Sequence, residues 1–142
     1  MKIAIGSDHA GYQLKKIIIN KFKDKVEFKD VGTYSEVSVD YPDYAHLAAK
    51  ELNSNKVDRI VLICGSGNGI QMTANKHNNV RCALCWNEEI TQLARQHNDA
   101  NAISLPARFI NEVEAEKIVE AFIKTTFEGG RHQKRTSKIN AK

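Results

Sequence analysis

The sequence predicts a three-layer α/β/α domain built on a five-stranded parallel, Rossmann-like sheet. Apolar runs of strand length alternate with amphipathic stretches of helix length along the chain. One run, Arg59–Cys64, is apolar almost throughout, as expected of a strand covered on both faces. Five strand–helix units in succession imply parallel strands joined by right-handed crossovers.

The elements follow in order. Lys2–Gly6 reads as the first strand, and the stretch from Tyr12 to Lys23 as a helix with Leu14, Ile17, Ile18 and Phe22 at helical spacing. Val26–Val31 alternates as a second strand, and Tyr44–Leu52 reads as a helix. Arg59–Cys64 is the third strand and Gly69–Asn75 starts the next helix. Val80–Cys85 is the fourth strand, followed by a helix over Glu88–Gln96. Ala102–Leu105 is a short fifth strand. Glu112–Phe127 is the longest helix, with Val113, Ile118, Val119, Phe122 and Ile123 on its buried side. In such sheets ligands bind outside the carboxyl ends of the strands, so a motif that carries chemistry should directly follow a strand.

The 142 residues fit one domain, 1–142, with a C-terminal arm from about residue 128. No apolar run approaches the ~20 residues that cross a bilayer. The N-terminus lacks the pattern of an export signal, so a cytoplasmic protein without membrane association is expected. Three cysteines, an odd and sparse count, argue against a disulfide framework and fit a reducing compartment. The net charge of +4, concentrated in the last dozen residues, suits an anionic metabolite as well as nucleic acid.

Four motifs carry chemical possibilities. Gly6-Ser7-Asp8-His9-Ala10-Gly11 follows the first strand, where an acid beside an imidazole can bind a hydroxyl and an anion; Ser7 or Asp8 could equally cap the next helix. Cys64-Gly65-Ser66-Gly67-Asn68-Gly69 follows the third strand. Its alternating glycines permit a tight turn whose N–H groups face a developing negative charge, and Cys64 could act there as base or nucleophile. The alternative is a structural cysteine and a glycine turn. The loop matches neither the dinucleotide fingerprint nor a Walker loop. Arg95-Gln96-His97-Asn98-Asp99 ends a helix; His97 suits proton transfer near neutral pH, or the segment is simply a C-terminal cap. In the tail, Arg131 and Arg135 would share a helix face and could grip phosphate, or form a frayed basic terminus.

Cys82 and Cys85 spell C-x-x-C, but residues three apart on a strand face opposite ways, which favours core packing over zinc. His46 and His77 show no partner at metal spacing and read as structural or exposed. No metal or cofactor is expected. Two other classes compete with an enzyme: a nucleotide-binding module on the same fold, and a nucleic-acid binder suggested by the basic tail alone.

Gly6–Gly11, Asp40-Tyr41-Pro42, Cys64–Gly69, Arg95-Gln96-His97-Asn98-Asp99-Ala100-Asn101 and Glu128-Gly129-Gly130-Arg131-His132 occur in this order. With them the chain closely resembles, over essentially its whole length, the type B ribose-5-phosphate isomerases of the ribose/galactose isomerase family. The resemblance implies an aldose–ketose isomerase acting on ribose 5-phosphate and ribulose 5-phosphate, with galactose-6-phosphate or allose-6-phosphate isomerase as alternatives. It implies that Cys64 is the base, that Gly65, Ser66, Gly67, Asn68 and Gly69 form the anion hole with the Ser66 hydroxyl near the reacting carbons, and that His97 with Asp8 opens the sugar ring. Asn98 would bind a sugar hydroxyl, Tyr41 would line the pocket, and His9, Arg108, Arg131 and Arg135 would hold the phosphate. Some members instead carry a glutamate after the loop; Ile70 stands there, which implies the cysteine-using type. The resemblance also implies at least a homodimer with shared active sites, with a tetramer left open.

Overall fold

The computed structural model describes residues 1–140; residues 141 and 142 of the expected 1–142 domain lie outside the described residues. Strands β1 (Lys2–Ser7), β2 (Glu27–Asp30), β3 (Arg59–Cys64), β4 (Cys82–Leu84) and β5 (Ala102–Pro106) pair in parallel in the order β2-β1-β3-β5-β4. Helices α1 (Tyr12–Phe22), α4 (Glu88–Asn98) and α5 (Glu112–Lys124) cover one face, and α2 (Tyr41–Asn53) and α3 (Asn68–Ala74) the other. A short α6 (Arg131–Thr136) packs on α4.

Side chains of the three central strands alternate between two apolar layers. Ile3, Ile5, Val61, Ile63, Ile103 and Leu105 meet Ile18, Phe22, Ile118 and Phe122 on one side. Ala4, Ile60, Leu62 and Ala102 meet Ala45, Ala48, Ala49 and Ile70 on the other. Each fully buried isoleucine or leucine contributes roughly 1.5–3 kcal/mol, and both faces of β3 contribute, which is why its sequence is continuously apolar. Cys82 lies in one layer and Cys85 in the other, as the strand period requires. Burial pushes both thiols up, Cys85 to about 11, so neither titrates near neutral pH.

Three of the differences from the expected boundaries have a direct physical cause. Helix α2 begins at Tyr41, not Tyr44, because Pro42 sits in its first turn with φ already set for a helix. Helix α5 stops at Lys124: Thr125 is extended and its carbonyl accepts from Arg95 Nε (3.1 Å), while the Arg59 guanidinium takes the carbonyls of Phe122 and Ile123. Strand β4 begins only at Cys82, because the Arg81 N–H is taken by the Asn101 side chain at 2.8 Å.

Lys15 is fully buried, and no pattern of apolar residues announces it. Its ammonium donates to Asp30 Oδ1 (2.5 Å) and to the Thr33 carbonyl (2.6 Å), tying α1 to the segment that follows β2. That segment supplies the Val39 N–H that holds His9, described below. Lys15→Ala strands a carboxylate and a carbonyl. Breaking a buried pair costs about 3–5 kcal/mol, and Asp30 is 33% exposed, so a loss near the lower end is expected. Thermal unfolding should fall by about 10 °C; a shift of a degree or two would mean that this lysine does not hold the segment.

Candidate active site

The chain leaves β1 toward one side of the sheet and β3 toward the other, so a crevice opens at their carboxyl ends. The first two motifs land there. The Asp8 N–H donates to the Ile63 carbonyl (3.2 Å), locking the two strand ends together. Asp8 Oδ1 accepts from the Ala10 and Gly11 N–H groups (2.9 and 3.1 Å), which braces the turn before α1, while no side chain caps the helix itself. Asp8 Oδ2 has no protein donor among the described residues and remains available to a ligand.

Cys64 ends β3 and is 4% exposed. Its Sγ accepts from the Gly67 N–H at 3.2 Å. Gly67 can make that contact because its φ of +75 turns the loop back over the sulfur, a conformation that favours glycine. The Asn68 N–H donates to Ser66 Oγ (3.3 Å). The expected anion hole is thus divided. Gly67 faces the thiol and Asn68 stabilises the turn, while the N–H groups of Gly65, Ser66 and Gly69 take no acceptor among the described residues and are the ones left for an oxyanion.

Three more candidates join this edge. The Tyr41 ring packs so closely over Gly69 that a Cβ there would lie 2.8 Å from the phenol oxygen. Arg108 follows β5, its N–H donates to the Gly65 carbonyl (3.0 Å), and its guanidinium lies across the loop. His9 accepts at Nδ1 from the Val39 N–H (3.2 Å), which leaves Nε2 protonated and free to donate to an anion.

The remaining candidates gather at the opposite edge. His97 and Asn98 end α4, and Asp99 caps it in the left-handed conformation (φ +46), so the capping alternative also holds. Arg95 serves structure: its guanidinium bridges the Thr125 and Ala100 carbonyls and Asp99. Arg81, just before β4, grips Asp99 twice at 2.9 Å. The Glu128 N–H donates to the Gln96 carbonyl (3.1 Å) and brings the arm back onto α4. Gly129 and Gly130 have φ of +67 and +54, and α6 then sets Arg131 and Arg135 on one turn, both exposed and close to His132. The segment is helical over Arg131–Thr136, so the condition for a shared arginine face is met.

Two residues quoted only as parts of motifs prove central to this edge. His132 is 5% exposed and stacks on His97, ring centroids 4.3 Å apart and planes within 10°. Glu128 Oε2 lies 3.4 Å from His132 Nε2 and 3.9 Å from His97 Nε2. Burial, then the neighbouring His97, holds the His132 imidazole below the usual histidine range. The spacing of Glu128 and His132 on either side of two glycines was the signal available in sequence, but their meeting with a residue thirty positions earlier was not. His46 and His77 also meet, Nδ1 to Nε2 at 2.8 Å, joining α2 to the turn after α3; read singly, they showed no such pairing.

The two groups do not meet within one chain. His97 lies just before β5, Arg108 just after it, and a parallel strand of five residues spans about 16 Å. The candidate residues therefore fall into two clusters, an upper one (Asp8, His9, Tyr41, Cys64–Gly69, Arg108) and a lower one (His97, Asn98, Arg131, Arg135). No described helix is long and apolar enough to cross a membrane.

A sequence profile of the Ribose/Galactose Isomerase family matches residues 3–139. The chain is 46% identical over 140 residues to a probable ribose-5-phosphate isomerase B of Mycoplasma genitalium, covering 96% of this chain and 92% of that protein. A ribose 5-phosphate isomerase structure from Thermotoga maritima superposes with a TM-score of 0.95 at 47% identity, covering 97% of this chain and 96% of that one. The Mycoplasma genitalium ribose-5-phosphate isomerase B solved with bound ribulose 5-phosphate superposes with a TM-score of 0.93 at 46% identity, covering 97% and 93%.

Proposed function

The chain belongs to the ribose/galactose isomerase family, and from that premise we propose that it interconverts ribose 5-phosphate and ribulose 5-phosphate through an enediolate. The observation that carries this reading is the Cys64 sulfur, seated against a glycine N–H at the crevice between β1 and β3.

The reaction needs an open sugar. His97 takes the proton of the anomeric hydroxyl and the ring oxygen is protonated as the ring opens, with Asp8 completing the acid–base pair. Cys64 then removes the proton from C2, and the electrons move into the carbonyl to form the enediolate. N–H groups of Gly65, Ser66 and Gly69, unpaired in the protein, stabilise its oxygens; one such donor is typically worth about 3 kcal/mol. Cys64 returns the proton to C1 while the proton of the C2 hydroxyl passes to O1, giving the ketose. The Ser66 hydroxyl and Asn98 bind the sugar, and Tyr41 walls the pocket beside Gly69.

His9 and Arg108 of the phosphate clamp lie on the upper edge, and Arg131 and Arg135 on the lower. We infer a homodimer in which the lower half-site of one subunit closes the upper half-site of the other. A two-fold axis then makes two identical composite sites. We place the enzyme in the cytoplasm, where its three free thiols stay reduced.

The test is turnover on ribose 5-phosphate, galactose 6-phosphate and allose 6-phosphate side by side. Ribose 5-phosphate should be preferred; preference for a six-carbon sugar would overturn the substrate assignment. Arg131→Ala and Arg135→Ala should each cost about 2 kcal/mol or more, roughly thirtyfold in kcat/KM, because a charge-assisted contact to phosphate is lost. Unchanged kinetics in both would remove the clamp.

A further inference from the structure

We propose that His132 is a positioning residue for sugar-ring opening: stacked flat on His97, it fixes the plane in which the His97 imidazole meets the sugar. The inference rests on the isomerase reading above and adds a group that never touches substrate.

His97 sits in the last turn of α4 with a side chain 38% exposed, a position where a histidine would otherwise turn freely about its side-chain bonds. His132 removes that freedom. It is buried, its own N–H donates to the Gly129 carbonyl (3.0 Å), and its ring lies parallel to that of His97. The Glu128 carboxylate lies beside the pair, 3.4 Å from His132 Nε2 and 3.9 Å from His97 Nε2, and its backbone is fixed to Gln96. The groups facing the pair are Glu128 from the arm and Arg131 and Arg135 from α6. Burial, then the neighbouring His97, makes the His132 imidazole harder to protonate than an ordinary histidine. Arg131 and Arg135 flank His132 on the same short helix. One rigid piece thus holds the phosphate and aims the ring-opening group, linking grip to chemistry. Orientation of this kind matters because an error near 1 Å can cost on the order of a hundredfold.

The same three side chains have ligand atoms within 4.8 Å of one another, a spacing that would suit a metal ion. The surroundings oppose one. Arg131 Nε approaches His132 Nε2 at 3.5 Å, and parallel rings point their nitrogens side by side instead of toward one centre.

The experiment exploits a chemical asymmetry. Ribose 5-phosphate must open, whereas ribulose 5-phosphate cannot close a five-membered ring because its C5 oxygen is esterified. Exchange of its C1 hydrogen with deuterated water, followed by NMR, reports proton transfer at Cys64 without any ring step. His132→Ala should lower kcat on ribose 5-phosphate roughly a hundredfold with little change in KM, while the exchange rate stays within a few-fold. His132→Phe, which keeps a flat ring, should recover most of the loss; His132→Gln, which keeps a polar group but no ring, should not. Melting curves for each variant report folding. Equal loss in both reactions, or a folded His132→Phe no better than alanine, would overturn the inference. Wild-type protein inert on ribose 5-phosphate would instead overturn the isomerase reading itself.

Discussion

Cys64→Ala is expected to lower isomerisation roughly a hundred- to ten-thousand-fold, the usual worth of a positioned proton-transfer group. The sulfur stands at the end of a buried strand, 4% exposed, with the Gly67 N–H at 3.2 Å. No other thiol can replace it, since Cys82 and Cys85 lie buried in the two apolar layers. The substitution removes a single buried atom, so stability should change by only about 1 kcal/mol. Loss of turnover with an intact melting transition would separate chemistry from folding. Normal turnover would mean that another base does the work.

Mixing two inactive proteins should restore activity. Within one chain Cys64 and His97 lie at opposite ends of β3 and β5, about 16 Å of strand apart. In a dimer of Cys64→Ala with His97→Ala subunits, one composite site would carry both defects and the other would carry neither. Random assortment by co-expression should then give about a quarter of wild-type activity, because half the dimers are mixed and each has one intact site. Two differently tagged copies and a double affinity purification would isolate the mixed dimer, whose activity should be about half. No recovery in a mixed species of normal mass would show that the site does not form across subunits.

Much of this was legible in the linear chain. The run Arg59–Cys64 announced a central strand because a strand covered on both faces must be apolar at every position. The C-x-x-C pair resolved correctly into two core layers from the period of two alone. The glycine loop and the paired tail arginines were also legible, since a left-handed turn and a shared helix face are local requirements. Lys15 was not: a lysine within an apolar helix pattern looks like a solvated residue until Asp30 and the Thr33 carbonyl arrive from elsewhere in the fold. Nor was the division of labour among the loop amides, which depends on where Sγ and Oγ come to rest.

Local spacing thus determined the five strand–helix units, the cysteine at the mouth of a glycine turn and the guanidinium pair, because each obeys a periodicity a few residues long. Only the tertiary structure decided that these groups occupy two opposite edges of the sheet, and that His132 stacks on His97. Such placements come from strand order and from the return of the chain's end onto α4, and contacts between residues so far apart leave no period in the sequence.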